Sequence, residues 1–162
     1  MRTNVSDAMR GALGNLLTRR TSYPVAESDI RKWALAVYWP QRPPRAFLDA
    51  SRAPEDFNPF AWAVATTEST GRLAADANAA DRTELLAGVP GPGLQFQLNG
   101  GLETEYGAPI RPGDVITSEN RLDSYSEREG KLGLMLFTVT EDTWTNQDDV
   151  VVKRSRMTLI RY

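Results

Sequence analysis

Leu98-Asn99-Gly100-Gly101-Leu102-Glu103-Thr104-Glu105-Tyr106-Gly107-Ala108-Pro109-Ile110-Arg111-Pro112-Gly113-Asp114 carries most of an alternating stretch, 94–106, and runs into a turn. Gly100 and Gly101 allow close backbone approach inside a strand region, where glycine otherwise costs stability. Arg111-Pro112-Gly113-Asp114 carries turn formers and should swing the chain tightly into the next strand. Downstream, residues 115–125, 131–144 and 150–162 read as long strands. The connections at 127–130 and 146–149 are short enough for hairpins.

Upstream the period changes. Ser6 can cap a helix in which Met9, Leu13, Leu16 and Leu17 share a stripe, with Arg19 and Arg20 at its carboxyl end. Pro24 forces Tyr23 out of helical geometry. Residues 27–38 predict a second helix with Ile30, Trp33, Ala34 and Val37 inward, stopped by Pro40. Five prolines between 40 and 59 predict an irregular segment. Residues 60–66 suit a strand or a helical start, 69–82 an exposed loop or short helix, and 89–93 a turn. Helices early and antiparallel strands late make an α+β class. One domain spanning 1–162, with 1–20 as an amino-terminal helix, is expected.

Composition removes several chemistries. At 162 residues, 41% hydrophobic and 25% charged, the chain suits one globular core. Nineteen basic against twenty-one acidic residues leave a net charge of −2, which argues against nucleic acid. No apolar run approaches the ~20 residues of a membrane helix, and residues 1–20 lack a signal-peptide core. A soluble, cytoplasmic domain is expected. The absence of cysteine excludes disulfides and thiolate sites, and the absence of histidine leaves carboxylates alone for any zinc. No metal or cofactor is expected.

Residues 98–114 closely resemble the amino-terminal half of MaoC-type dehydratases, the hot-dog family that includes R-specific enoyl-CoA hydratases. Ser126-Glu127-Arg128-Glu129-Gly130-Lys131-Leu132-Gly133 fits the same pattern. So do Met135-Leu136-Phe137-Thr138-Val139-Thr140-Glu141, the Asn146-Gln147 turn, Tyr23-Pro24-Val25 and residues 29–36. The resemblance covers roughly 21–162 and is weakest between 41 and 94. It implies a single hot-dog fold, a long curved antiparallel sheet wrapped around a helix. It also implies that two such units pair side by side, with an acyl-CoA pocket between them.

One departure decides the functional expectation. Catalytic members carry Gly-Asp-x-Asn-Pro-x-His after the helix equivalent to 27–38, where Asp and His handle water and proton. Here Val37-Tyr38-Trp39-Pro40-Gln41-Arg42-Pro43-Pro44 occupies that stretch. Asn99 stands where many relatives place a His before the glycine pair. The resemblance therefore implies a non-catalytic subunit of a heteromeric enoyl-CoA hydratase. It would shape the tunnel for a coenzyme A thioester while a MaoC-type partner supplies Asp and His. The vacated site would suit a bulky acyl group; Trp144-Thr145-Asn146-Gln147 and 158–162 look most like the steroid side-chain type. In such proteins this half can precede a zinc-ribbon and OB-fold region, which the abrupt end at Tyr162 would match.

Six residues are candidates for binding. Asn99 could donate to an acyl carbonyl or to a partner's active site, beside the close backbone approach that Gly100 and Gly101 allow, although a strand Asn beside two glycines more often satisfies local backbone. Arg128 and Lys131 could meet CoA phosphates, although a hairpin tip is usually solvated. Trp39, at the vacated position, could close the degenerate pocket, while Trp33, Trp62 and Trp144 suit core or interface. Glu103 and Glu105 read as surface or interface groups. Two rival readings remain. One is a homodimeric acyl-CoA binding or scaffold module; the other is a hot-dog thioesterase using Asp49 or Asp56 as base.

Overall fold

The computed structural model describes residues 3–61 and 79–162, and the backbone of 66–69. The expectations for 62–65 and 70–78, and for Trp62, lie outside the described residues.

The alternating stretches form one antiparallel sheet of six strands. They are β1 (Leu16–Thr21), β2 (Thr66–Ser69), β3 (Gln97–Tyr106), β4 (Thr117–Gly130), β5 (Gly133–Thr145) and β6 (Val151–Arg161), in the order β2-β1-β4-β5-β6-β3. The hairpins hold the long strands in register. The expected 127–130 connection is strand instead: β4 runs on to Gly130, and Lys131-Leu132 alone make the turn, with Gly133 at φ 92°. In the 146–149 connection, Asn146 Oδ1 accepts from the backbone of Asp148 and Val150, both at 3.0 Å.

Period-two alternation then sorts the faces. Leu136, Thr138, Thr140 and Trp144 of β5 are buried on the inner face. On the outer face, exposed ion pairs join Arg154 and Arg156 to Glu141, and Arg19 and Arg121 to Glu119.

Two helical groups cover parts of the inner face. Helix α2 (Glu27–Tyr38) has the expected bounds, and its fully buried Ile30 and Ala34 fix it against the sheet. Its core includes Val25, Phe57, Ile116, Trp144 and Val152, with Trp33 packed alongside. Val37 departs from expectation: it is 49% exposed, on the rim of a cleft described below. A short helix α3 (Arg45–Leu48) follows within the proline-rich segment.

At the other end, α1 (Asp7–Gly11) and α4 (Arg82–Leu86) bring Met9, Leu86 and Ala87 toward Leu17, Leu122 and Leu136. Ser6 caps α1, accepting from Met9 N–H at 3.2 Å. The rest of the expected first helix is corrected: it ends at Gly11, Gly14 takes φ 84°, and Leu16 opens β1. Arg19 and Arg20 face strand carboxylates, Glu119 and Asp142, instead of a helix terminus. Among the described residues, no helix is long and apolar enough to cross a membrane.

One buried ion pair ties α4 to the sheet. Arg161 and Glu84 are both fully buried, and the guanidinium meets the carboxylate in two bonds of 2.6 and 2.7 Å. Arg161 also donates to Thr138 Oγ1 at 2.7 Å and Ala80 O at 2.9 Å, and Tyr125 OH donates to Glu84 at 2.8 Å. Burial, then the Glu84 charge, pushes the Tyr125 phenol up, so it stays a donor.

Replacing Glu84 by Gln should cost about 3–5 kcal/mol, because the buried arginine charge is left with only the longer, partly exposed contact to Asp81 at 3.4 Å. The double variant E84L/R161M should recover most of that loss. Urea unfolding at neutral pH measures both.

Candidate functional site

The vacated segment borders a cleft. At the end of α2, Val37 and Tyr38 face Phe47 and Arg52, and Tyr106 at the end of β3 closes the far side of a hollow of about 370 Å³. Tyr38 and Phe47 pack at 5.9 Å between ring centroids, and the Arg52 guanidinium lies 5.5 Å from the Phe47 ring centroid. Through Arg52, Ala53, Pro54, Glu55 and Tyr106, this hollow adjoins a deeper pocket of about 100 Å³. Phe57, Ile110, Trp144, Val152 and Lys153 line its interior.

The strand geometry that places Lys153 there is irregular. Trp144 pairs with Lys153 and Thr145 with Val151, so Val152 is the extra residue of a bulge. Bulges of this kind re-aim side chains. Val152 turns into the core, and the Lys153 ammonium lies 4.2 Å from the Trp144 ring centroid. Phe60 meets Trp144 edge-on at 5.2 Å and stacks under the Arg20 guanidinium at 4.5 Å.

Asp142 organises the polar part of this face. It accepts from Ser118 Oγ at 2.7 Å and Trp144 Nε1 at 2.9 Å, and pairs with Arg20 at 3.6 Å. Its opposite neighbour on β4, Asn120, keeps a buried Oδ1 without a partner. Asp56 accepts from Trp33 Nε1 at 3.2 Å. The Lys153 ammonium forms no ion pair or hydrogen bond with a described residue. Burial pulls its pKa down, against the opposing pull of Asp142 and Asp56.

The residues singled out in the sequence do not converge on this cleft. Asn99 is exposed, and its Oδ1 accepts from Gly101 N–H at 3.2 Å, the local satisfaction of backbone. The register slips between Asn99 and Gly101, which takes φ 140°. A Cβ on Gly100 would stand 2.8 Å from Ile160 Cγ1 and 2.9 Å from Thr158 Cγ2. This bulge lies at the other end of β3 from Tyr106, roughly 20 Å along the strand. Arg128 lies over the Phe137 ring at 5.7 Å and Lys131 sits exposed in the hairpin turn. Trp39 is 80% exposed and fills no cavity among the described residues; α2 has ended before it. Asp49 pairs with exposed Arg45 at 3.1 Å, and Asp56 accepts from Trp33 Nε1 at 3.2 Å.

Lys153, Arg52 and Asp142 escaped sequence reasoning. Lys153 reads as one more strand cation, and only the bulge at Val152 turns it over Trp144. Counting outward from the 146–149 turn would have placed Trp144 near Lys153, but not the extra residue between.

A second feature is the edge. β3 ends the sheet, and none of its residues is buried. Leu98, Leu102 and Tyr106 are 50%, 65% and 45% exposed. The register sets Leu102 and Tyr106 beside Met157 and Lys153, on the face of Trp144. An uncovered strip, apolar at Leu102, Met157 and Tyr106 with the hydrogen-bonded Thr104 and Ser155 between them, thus runs from the edge to the cleft.

Residues 13–155 match the family model described as FAS1-like, dehydratase domain region. No curated protein matches the chain. Among solved structures, the MaoC-like dehydratase from Rhodospirillum rubrum is similar at 20% identity and a TM-score of 0.50, covering 93% of this chain and 92% of that one. The ChsH1–ChsH2 complex from Mycobacterium tuberculosis is similar at 17% identity and a TM-score of 0.56, covering 90% and 82%.

The depressed Lys153 gives a signed pH dependence. Between its lowered folded pKa and the ordinary value of 10.5, the unfolded chain binds more protons, so stability rises with pH across that window. Below it, the cost of holding the ammonium is fully present. Lys153→Met should therefore raise the urea midpoint most near pH 7, and the gain should shrink toward pH 10.

Proposed function

Because the chain belongs to the FAS1-like dehydratase domain region family, as a MaoC-type hot-dog protein, we propose that it is the non-catalytic subunit of a heteromeric enoyl-CoA hydratase. The observation that carries this reading is the complete absence of histidine from a dehydratase-family sequence. Family chemistry needs an imidazole near water and substrate to move a proton. This chain has none to offer, and Trp39-Pro40 stands in the stretch where the family's motif falls. A MaoC-type partner supplies the Asp and His, and the present chain supplies wall and shape.

Geometry supports the division of labour. An edge strand with large exposed apolar side chains is a surface that a second sheet can extend. ChsH1–ChsH2, whose fold the chain shares, is itself a complex of two proteins. A partner laid along β3 would roof the strip from Leu102 to Tyr106 and turn the adjoining cleft into a closed tunnel. The substrate is an acyl-CoA thioester, with room for a bulky acyl group of the steroid-derived kind. Gly100 and Gly101 give backbone access at the strip's far end, Arg128 and Lys131 are cations for the CoA phosphates, and Trp39 and Asn99 face the partner.

Co-expression with a MaoC-type hydratase encoded beside it should yield a heteromer on a sizing column. The pair should hydrate enoyl-CoA, and replacing the partner's catalytic His should abolish the activity. Leu102→Lys should break the complex and lower activity at least tenfold, with the fold retained by circular dichroism. A stable homodimer that binds thioester and ignores every such partner would instead establish a binding module.

A further inference from the structure

We propose that Lys153 and the Trp144-based pocket form a subsite for a carboxylate at the distal end of the acyl group. This rests on the reading of the cleft as the acyl site and adds the chemistry of the smaller pocket adjoining it. The pocket is small, about 100 Å³, which suits an end group better than a ring system. Ala53, Phe57, Ile110 and Val152 give it apolar walls for the last methylenes of a chain.

Its lining includes Lys153, whose ammonium makes no ion pair or hydrogen bond among the described residues. The nearby carboxylates are engaged elsewhere: Asp142 by Ser118, Trp144 and Arg20, Asp56 by Trp33. The Lys153 ammonium is left stacked on the Trp144 ring, half-buried, with its donors free of described partners. A partly desolvated ammonium with unused donors gains most from an anionic acceptor, through a charge-assisted hydrogen bond. Burial already works against the ammonium, and an anion at the site would reverse that pull.

The charge balance favours a single negative charge. Glu55 lines both hollows, and Asp142 and Asp56 act on Lys153. Those three carboxylates oppose a dianion such as a phosphate more than a monoanion. Arg20 adds a further positive charge, and Arg52 stands at the junction of the two hollows.

The test compares two thioesters of equal length, hexanoyl-CoA and adipoyl-CoA, by calorimetric titration of the full chain, alone and in complex with its hydratase partner. Adipoyl-CoA should bind about tenfold more tightly, which corresponds to roughly 1.4 kcal/mol. Lys153→Met should collapse that difference while leaving hexanoyl-CoA binding in place, and Lys153→Arg should keep most of it. Equal affinities, a preference for hexanoyl-CoA, or a preference that survives Lys153→Met would overturn the subsite and leave the acyl reading intact. Failure of both thioesters to bind in either form would overturn the acyl reading as well.

Discussion

An arginine with no exposed surface requires a carboxylate with none, and the pair Arg161–Glu84 holds this fold to one arrangement. Two parallel bonds, a threonine hydroxyl and a backbone carbonyl surround the guanidinium, leaving only Nε unmatched. Desolvating two charges costs several kcal/mol each, so the pair adds little net stability compared with an apolar core. Its effect is selective: α4 has one seat on the inner face where Glu84 finds its cation. The residues around that seat close the core at this end, through Leu86, Ala87 and Val89. The opposite end, under α2, is apolar and aromatic. Between them the sheet keeps a polar band, with Asp142 at its centre.

Strand-forming segments were legible because alternation, turn chemistry and β-branched content all agreed. Helix α2 was legible because its inward residues, acidic first turn and stopping proline agreed too. The first helix misled because Leu16 and Leu17 continue the spacing of Met9 and Leu13 in number, while Gly11, Gly14 and Asn15 interrupt it in fact. Leu17 was correctly core, but as a strand residue. The 127–130 segment misled in the other direction: charged residues with a glycine look like a loop, yet two exposed strands can carry charge on both faces at a hairpin end.

The site was legible only by resemblance and by subtraction. The missing histidine and the displaced catalytic segment pointed to the end of α2, and Val37 and Tyr38 there line a cleft. Its interior was hidden because it depends on a bulge. Shifting one residue at Val152 exchanges which side chain is core and which is aimed at Trp144, and no periodic reading contains that information. Asn99, by contrast, lies beside a second bulge and spends its oxygen on the backbone of Gly101.

That second bulge gives the free edge a phase. Below it, Leu102, Thr104 and Tyr106 share the face of Trp144; above it, Asn99 and Gln97 do, with Gly100 falling out of count. A straight strand laid alongside can match one segment or the other, and its side chains change sides at the break. Only a strand with a compensating irregularity can follow the whole length. The edge therefore works like a key cut, rejecting otherwise sticky strands whose spacing is uniform.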